Sequence, residues 1–406
     1  MAKKNKNPEV RFKGFNEDWE DKKLGDISNI IGGGTPSTMI PEYWNGNIDW
    51  YSPTEIGKEI YANGSNKKIT TLGYENCSAK ILPPDKTILF TSRAGIGDMA
   101  ILKKEGTTNQ GFQSLILNED INPYFIYSAG FLIKKYSLKN ASGSTFLEIS
   151  SKTLEKMVIK VPKPTEQKQI GSFFQNLDTL ITQHQKKYDK LVILKKAMLD
   201  KMFPKNGAVV PEVRFKGFNE DWHEKKLSDI TNYYNGKGYE SQQGNSGKYE
   251  LINLNSISID GGLKPSGKFI NDADITLKEN DLVMVLSDVG HGDLLGRVAV
   301  IPENNRYVLN QRVALLRPDA SVNSLFLLYN INDSQSYFKK QGAGMSQLNL
   351  SKSSVEDFTS YIPSPEEQTK IGAYFQNLDN QITLHQTQLE KLNNIKKACL
   401  IKMFVA

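Results

Sequence analysis

Two segments of the chain carry apolar residues at alternating spacings of four and three, separated by polar positions. The first segment begins at Thr165 and the second follows Pro365. The recurring apolar positions are Ile170, Phe174, Leu177, Ile181, Tyr188, Leu191, Met198 and Met202 in the first, and Ile371, Phe375, Leu378, Ile382, Leu389, Leu392, Cys399 and Met403 in the second. This spacing predicts two helices of about 34 residues and roughly 50 Å, each with the apolar seam of a coiled coil.

His184 and His385 occupy the same seam position in the two segments. A polar residue in a seam commonly fixes the register of the helices, as a buried Asn does. A pH-sensitive switch or a metal-binding pair is the alternative interpretation. We favour the register role and count both histidines as part of the seam.

Two regions outside these helices, 29–160 and 232–361, show a different pattern and are called the variable regions below. Short apolar runs such as KTILFTS and DLVMVLS alternate with turn-forming clusters such as WNGN and DGGLKPSG. This pattern predicts short strands joined by long loops. Within them, NPYFIYSAGFLIKKYS and NSLFLLYNINDSQSYFKK are each expected to form one amphipathic helix. Each variable region is therefore predicted to be a mixed, strand-rich domain.

The chain consists of two tandem copies of one sequence repeat, since FQNLD recurs at a distance of 201 residues within longer matches. Segments 161–203 and 362–404 are identical at 24 of 43 positions, and segments 8–28 and 211–231 at 17 of 21. We call these four stretches the frame segments. The variable regions between them correspond only in short motifs, such as SRAGIGD with SDVGHGD. A frame that stays alike around diverging regions suits a scaffold with two different binding specificities.

Composition argues against secreted, membrane and disulfide-rich classes of protein. No apolar run approaches the roughly 18 residues that span a bilayer, and the basic start lacks the apolar core of a signal peptide. The two cysteines provide no disulfide framework, and the four histidines lack metal-ligand spacing. We therefore expect a cytoplasmic protein.

The net charge of +6 is unevenly distributed. Region 29–160 carries 14 Lys and Arg against 12 Asp and Glu, whereas region 232–361 carries 12 against 14. The excess therefore lies in the frame segments and tails. A non-specific polyanion binder should be more basic, because phosphate contacts supply most of such affinity. Either nucleic acid is bound through local basic patches, or it is not the ligand.

Catalytic motifs are missing from the sequence. It contains no GxxxxGK[ST], HExxH or GxSxG motif, and the glycine stretches GIG and GHGDLLG do not fit GxGxxG. Neither an aromatic-terminated Asn/Asp-Pro-Pro motif nor a nuclease-like carboxylate cluster is present. The chain is predicted to be non-catalytic by itself.

Three groups of motifs carry a family resemblance. The opening VRFKGFNEDWEDKKLGDI, the GGTPS loop with WYSPTEI downstream, and EQKQIGSFFQNLDTLITQHQ followed by LKKAMLDKMF resemble the specificity subunits of type I restriction–modification systems. The duplicated order of variable domain and helix covers essentially the whole chain. The resemblance implies an α+β fold with two mixed α/β target recognition domains. These would be separated by two long helices forming an antiparallel coiled coil, with pseudo-two-fold symmetry from the internal duplication.

The resemblance also sets expected domain boundaries. These are a disordered basic tail (1–7), target recognition domain 1 (8–160), spacer helix 1 (161–203), a linker (204–210), target recognition domain 2 (211–361) and spacer helix 2 (362–404).

The resemblance implies DNA and protein partners. Each recognition domain would read one half of an asymmetric bipartite double-stranded DNA target. The coiled coil would space the domains and dock two modification (methyltransferase) subunits, which restriction (translocase and nuclease) subunits would join. S-adenosylmethionine, ATP and Mg²⁺ would belong to those partners, so no cofactor, metal or membrane is expected for this chain.

Candidate DNA-reading residues are loop positions with planar or bidentate side chains. They are Thr35, Ser37, Arg93, Asn109, Gln110, Gln113, Ser144 and Thr145 in the first domain, and Lys237, Tyr239, Gln242, Asp288, His291, Asn310, Gln311, Arg312, Ser346 and Gln347 in the second. Arg93 and Asp288 occupy matching positions, where arginine can pair with guanine and aspartate can accept from cytosine N4. The alternative for each is a turn residue that caps its own backbone. The NQ pair shared by Asn109 and Asn310 favours that structural role.

Two other classes of function fit the same residues. A stand-alone bipartite DNA-binding regulator would bind its site tightly without partners. A protein-interaction scaffold would show no salt-dependent DNA binding, in keeping with its nearly neutral variable regions.

Overall fold

The computed structural model describes residues 6–93, 95–143, 147–205, 207–289, 292–345 and 347–405. The chain divides into two compact units: unit 1, formed by residues 1–185 and 387–406, and unit 2, formed by residues 186–386. Each unit contains one variable region and a part of each long helix. Residues 1–5 of the predicted basic tail lie outside the described residues.

Short strands form the sheets of unit 1. They are β1 (Glu20–Lys23), β2 (Ser28–Gly32), β3 (Trp44–Tyr51), β4 (Tyr61–Ala62), β5 (Lys67–Ile69), β6 (Thr87–Phe90), β7 (Met99–Leu102), β8 (Gly106–Thr108), β9 (Gln113–Leu117) and β10 (Val158–Val161). One sheet has the order β2-β9-β6-β7-β4 and another the order β5-β3-β8. Strands β6 and β7 are buried at every residue, which explains why all their residues except Thr87 are apolar.

Strands β1 and β10 pair in antiparallel register, with Glu20 opposite Val161. This pairing closes the variable region where the long helix begins. The helices of this part of the chain are α1 (Leu24–Ile27), α2 (Thr71–Glu75), α3 (Pro123–Ser128), α4 (Gly130–Asn140), α5 (Ser151–Glu155) and α6 (Pro164–Met202).

The prediction of a single amphipathic helix after residue 121 was wrong. The structure has two helices, α3 and α4, divided at Ala129. Ala129 has φ −76° and ψ 0°, which interrupts the helical path. A Cβ on Gly130 would lie 2.6 Å from the Sδ atom of Met99. The chain therefore turns where its backbone packs directly against β7.

Unit 2 repeats this arrangement with its own strands. They are β11 (His223–Lys226), β12 (Thr231–Asn235), β13 (Tyr249–Ile252), β14 (Phe269–Ile270), β15 (Leu282–Val285), β16 (Ser287–Val289), β17 (Val298–Val300), β18 (Tyr307–Leu309), β19 (Val313–Pro318), β20 (Gln347–Asn349) and β21 (Thr359–Ile362). The sheets have the orders β12-β19-β15-β17, β14-β13-β18, β16-β20 and β11-β21. The pair β11-β21 corresponds to β1-β10 of unit 1.

The helices of unit 2 follow the order seen in unit 1, except that α2 has no counterpart among the described residues. They are α7 (Leu227–Ile230), α8 (Ser324–Asp333), α9 (Gln335–Gln341), α10 (Lys352–Glu356) and α11 (Pro365–Lys402). The second predicted amphipathic helix is again divided, here at Ser334 with φ −92° and ψ 25°. The Gln335 side chain beyond the break is buried and donates to the carbonyl of Gly296 over 3.2 Å.

The two long helices are confirmed, at 39 and 38 residues. In unit 1 the rings of Phe174 and Phe404 lie 5.9 Å apart, and Asp178 pairs with Lys396 over 2.5 Å. Moving forward along α6 thus means moving backward along α11, so the two helix parts pack antiparallel.

The helix parts of unit 2 pack in the same antiparallel way. The rings of Phe375 and Phe203 lie 6.0 Å apart, and Lys195 pairs with Asp379 over 2.6 Å.

The main core of each unit joins its variable region to both long helices. In unit 1, Leu115 and Phe125 of the variable region cluster with Phe174 of α6 and with Phe404, which follows α11. No helix within the described residues has the length and apolar character needed to cross a membrane.

Candidate nucleic-acid interface

A bidentate ion pair ties the N-terminal segment of unit 1 to the start of α6. The Nε and Nη2 atoms of Arg11 donate to the two carboxylate oxygens of Glu166, each over 2.7 Å, and Glu166 is 1% exposed. The neighbouring Gln167 accepts from the backbone N–H of Asn122 and donates to the carbonyl of Pro162, both over 2.9 Å. The hydrogen bond to Glu166 raises the pKa of Arg11.

The matching residues make the same contacts in unit 2. Arg214 donates to Glu367 over 2.9 and 2.7 Å. Gln368 accepts from the backbone of Asn323 over 2.8 Å and donates to the carbonyl of Pro363 over 2.9 Å. The repeated Glu-Gln pair of the frame segments therefore fixes each variable region to the start of its helix.

The aspartate that ends FQNLD makes a second connection in unit 1. The Tyr124 hydroxyl of α3 donates to Asp178 over 2.7 Å, and Asp178 also pairs with Lys396 of α11. Burial and the hydrogen bond to Asp178 raise the pKa of Tyr124, so its hydroxyl stays a proton donor.

Unit 2 repeats this three-residue connection. The Tyr329 hydroxyl donates to Asp379 over 2.8 Å, and Asp379 also pairs with Lys195. In both units one variable region thus rests on both long helices.

Several predicted DNA-reading residues of unit 1 meet at the loop after β2. The Thr35 hydroxyl donates to the side-chain oxygen of Gln110. A Cβ on Gly33 would lie 2.0 Å from the carbonyl oxygen of Asn109, so only glycine allows the two backbones this close. Ser37 is exposed on the same loop.

Arg93 lies beside this loop cluster. The backbone N–H of Ser92 donates to Gly111 over 2.8 Å, and the Arg93 guanidinium lies 4.0 Å from the carboxylate of Glu148. The arginine side chain is about one-third exposed, at 34%. Gln113 lies apart from the exposed loop residues, because it is half-buried on β9 opposite Gly32.

Unit 2 uses the same backbone plan with different side chains. A Cβ on Gly236 would lie 1.8 Å from the carbonyl oxygen of Asn310. The side chain of Gln311 donates to Glu240, where unit 1 pairs Gln110 with Thr35. The loop after β12 is therefore pinned as the loop after β2 is, but it presents other groups.

The other described candidates of unit 2 are spread around this loop. Lys237 pairs with Asp274 over 2.6 Å, and Tyr239 accepts from the backbone N–H of Gln242 over 3.0 Å. Arg312 adopts a left-handed conformation, with φ 66°.

The remaining candidates of unit 2 belong to a separate strand pair. Asp288 lies on β16 and Gln347 on β20, and these strands pair with Asp288 opposite Leu348.

Four predicted DNA-reading residues lie outside the described residues: Ser144, Thr145, His291 and Ser346.

Backbone capping occurs at several of the described candidates. The side-chain oxygen of Asn109 accepts from the N–H of Gly111, and that of Asn310 accepts from the N–H of Gln311, each over 2.8 Å. One carboxylate oxygen of Asp288 accepts from the N–H of Leu294 over 2.9 Å. The two asparagines thus make the local hydrogen bonds of turn residues.

The predicted seam residues divide by burial. The buried ones are Ile170, Phe174, Leu177, Leu191, Ile371, Phe375 and Leu378, and the half-buried ones are Ile181, His184, Ile382, His385 and Leu392. Some of them also pack against the variable region. Ile170 and Phe174 pack in the same core cluster as Phe125 of the variable region.

The frame contacts and the paired glycines were missed in the sequence. Arg11 and Asp178 lie in frame segments that repeat at Arg214 and Asp379, but their motifs did not identify them as contact residues. Tyr124 and Tyr329 do not occupy aligned positions, because Tyr124 aligns with Leu325. Gly33 appeared only within the GGTPS loop, and Gly236 was not singled out. Their correspondence relative to β2 and β12 is the signal that could have identified them.

The loop cluster of unit 1 presents hydroxyl, amide and guanidinium groups, which are the donors and acceptors used to read base edges. Within the described part of the chain, no group of three or more His, Cys, Asp or Glu residues is placed to hold a metal ion.

A family model described as the type I restriction modification DNA specificity domain matches residues 16–192 and again residues 219–394. The two matches cover most of the chain. The chain belongs to this family. The predicted resemblance and fold class are thereby confirmed, including the repeated mixed α/β regions with long helices.

Individual relatives agree with this assignment. The specificity subunit of the type I restriction enzyme MjaIX from Methanocaldococcus jannaschii is 28% identical over 411 residues, covering 95% of this chain and 93% of that protein. The EcoR124I/EcoR124II specificity subunit from Escherichia coli is 34% identical over 180 residues, covering 42% of this chain and 43% of that protein.

A solved structure shows the same fold. The crystal structure of a type I restriction–modification S subunit from M. genitalium matches with a TM-score of 0.64 at 17% identity, covering 98% of this chain and 99% of that one.

Proposed function

We propose that this chain reads an asymmetric bipartite double-stranded DNA target for a type I restriction–modification complex, with one half-site per recognition domain. The observation that carries the proposal is the combination of family membership with a duplicated frame that bears two different loop clusters. The recognition domains are taken as residues 8–160 and 211–361, and the spacer helices as 161–203 and 362–404.

Duplication followed by divergence accounts for the asymmetry. Two identical readers related by a two-fold axis demand a palindromic site. Here the frame contacts repeat, whereas the loop pairs differ: Thr35 with Gln110 in unit 1 and Glu240 with Gln311 in unit 2. The two half-sites should therefore have different sequences.

The loop clusters are proposed to read bases more than phosphates, since each variable region is nearly neutral. Arg93 would pair with guanine O6 and N7. Asp288 has one carboxylate oxygen engaged by Leu294, which leaves the other to accept from cytosine N4. The opposite charges at these matching positions would make the half-sites differ.

The other described candidates keep their proposed role in DNA contact, with the two asparagines shaping the loops. These residues are Ser37, Gln113, Lys237, Tyr239, Gln242, Arg312 and Gln347.

The chemistry is proposed to belong to partner subunits. Two methyltransferase subunits would dock on the coiled coil formed by α6 and α11, and restriction subunits would join that core. S-adenosylmethionine, ATP and Mg²⁺ would be bound by those subunits, so this chain would be non-catalytic by itself.

Long-read sequencing of methylated adenines tests the proposal. The chain and the methyltransferase encoded beside it would be expressed together in a host lacking such systems. We expect one asymmetric bipartite motif, which disappears when this chain is omitted.

Three outcomes would contradict the proposal. Methylation of the same motif without this chain would remove its role in specificity. Absence of methylation, although the chain and the methyltransferase co-purify, would favour the protein-interaction scaffold. Tight binding to a bipartite site by the chain alone, with no methylation, would favour the stand-alone regulator.

A further inference from the structure

Met39 lies in a tight turn of unit 1 and is 87% exposed. The turn runs from Ser37 to Ile40, whose backbone N–H donates to the Ser37 carbonyl over 3.4 Å. The preceding Pro36 is buried, so the chain emerges from the core immediately before this turn. A large apolar side chain is thus presented to solvent beside the proposed DNA-reading residues Thr35 and Ser37.

The backbone around Met39 is fixed from several sides. Trp50 donates its indole N–H to the carbonyl of Gly34 over 2.8 Å, and Trp44 donates to the carbonyl of Ser37 over 3.1 Å. A Cβ on Gly34 would lie 2.4 Å from the backbone nitrogen of Ala79, which leaves no room for a side chain at this position. The position of Met39 is therefore set by the fold, while its side chain remains free to adapt.

Hydroxyl and amide side chains lie on or contact the loop that carries Met39. The Ser37 hydroxyl accepts from the N–H of Met39 over 3.3 Å, and Thr35 donates to Gln110 on the same loop. Hydroxyl and amide groups suit the hydrogen-bonding edges of bases. The thymine C5-methyl group is the apolar feature that distinguishes thymine in the major groove, and a flexible thioether can pack against it.

We propose that Met39 is a specificity-determining residue that contacts the C5-methyl group of one thymine in the half-site read by unit 1. This inference rests on the proposed function. The corresponding loop of unit 2 carries Lys237, Tyr239 and Gln242 and has no methionine. Recognition of a thymine methyl by this loop is thus confined to one half-site.

Replacing thymine by deoxyuridine tests the contact, because it removes only the methyl group. Duplexes containing the target found by methylation sequencing would carry one replacement each. Binding would be measured with the full chain in complex with its methyltransferase at one salt concentration. We expect one position in the first half-site at which replacement weakens wild-type binding about fourfold.

Variants of Met39 separate base reading from general affinity. Met39→Ser should weaken binding to the thymine duplex and lose sensitivity to deoxyuridine at that one position. Met39→Leu should retain the sensitivity, because an apolar side chain remains. Leu138→Ser is the matched control, since Leu138 is 51% exposed on α4 and should leave the wild-type profile unchanged.

Two results overturn the inference while leaving the proposed function intact. In one, no single thymine replacement in the first half-site weakens wild-type binding. In the other, Met39→Ser weakens all duplexes equally and keeps the wild-type deoxyuridine profile. Failure of the proposed function is recognised earlier and separately, because the wild-type complex would then define no bipartite target, which also removes this role for Met39.

Discussion

Glu166 and Glu367 occupy the first turns of the long helices, where a negative charge favours the helix dipole. The structure gives them a further role, because each is 1% exposed and bound by one arginine through two hydrogen bonds. In unit 2 the indole of Trp222 also donates to Glu367 over 3.2 Å. These residues therefore join each N-terminal frame segment to its helix.

Removing one carboxylate should destabilise one unit. Glu166→Gln leaves the Arg11 guanidinium without its charge partner and should cost about 3–5 kcal/mol, as for other broken buried pairs. Hydrogen–deuterium exchange read by mass spectrometry should show faster exchange in peptides of unit 1. Glu367→Gln should do the same in unit 2.

An exposed ion pair supplies the control for these variants. Glu20 pairs with Lys22 but is 69% exposed, so Glu20→Gln should leave stability nearly unchanged. Equal effects of Glu20→Gln and Glu166→Gln on stability would show that the buried ion pair contributes no more than the exposed one.

Arg93 provides the test of base reading at the first half-site. If it pairs with guanine, Arg93→Ala should cost roughly 1–3 kcal/mol and relax one base position. Methylation sequencing of the variant would show the relaxed position directly. Uniform weakening across all sequences would instead make Arg93 a phosphate contact, and Lys139→Ala on α4 is a suitable comparison for loss of one surface charge.

At the scale of elements, the long helices were predictable because their apolar spacing is set along one continuous segment. The breaks at Ala129 and Ser334 were not, because they depend on packing against strands distant in sequence, such as Gly130 against Met99. The loop clusters lie between these cases. Polar loop residues were identifiable, but the approach of Gly33 to Asn109 required the folded sheet.

The helices are expected to set the number of unread base pairs between the half-sites. Inserting one seven-residue heptad after Gln185 and another after Gln386 keeps the seam in phase. Seven residues add about 10 Å of helix, close to three base pairs of DNA. Methylation sequencing should show a longer spacer between unchanged half-sites.

A seven-residue insertion in the linker 204–210 is the matched control, since it lengthens the chain without lengthening either helix. It should leave the spacer unchanged. Altered half-sites in the helix variant, or an altered spacer in the linker variant, would contradict the role assigned to the helices.

At the scale of the whole molecule, the sequence copies and the compact units do not coincide. Unit 1 includes residues 387–406 of the second copy, and unit 2 includes residues 186–203 of the first. Phe404 packs near Phe125, and Phe203 packs near Phe326, with ring centroids 5.4 and 5.5 Å apart. Each variable region is thus supported by helix parts from both copies, which explains why the frame segments stay alike.

This equivalence allows the same variable region to be placed between both pairs of frame segments. A variant would carry a second copy of residues 29–160 in place of residues 232–361. The transplanted region keeps Asn122 for Gln368 and Tyr124 for Asp379, the partners that Asn323 and Tyr329 supply in the native chain. It should therefore fold between the frame segments 211–231 and 362–404.

Methylation sequencing of this variant with its methyltransferase tests most directly the claim that each unit reads its own half-site. We predict a palindromic target made of two inverted copies of the first half-site. Retention of the original asymmetric target, or loss of methylation by a folded variant that still binds methyltransferase, would contradict it.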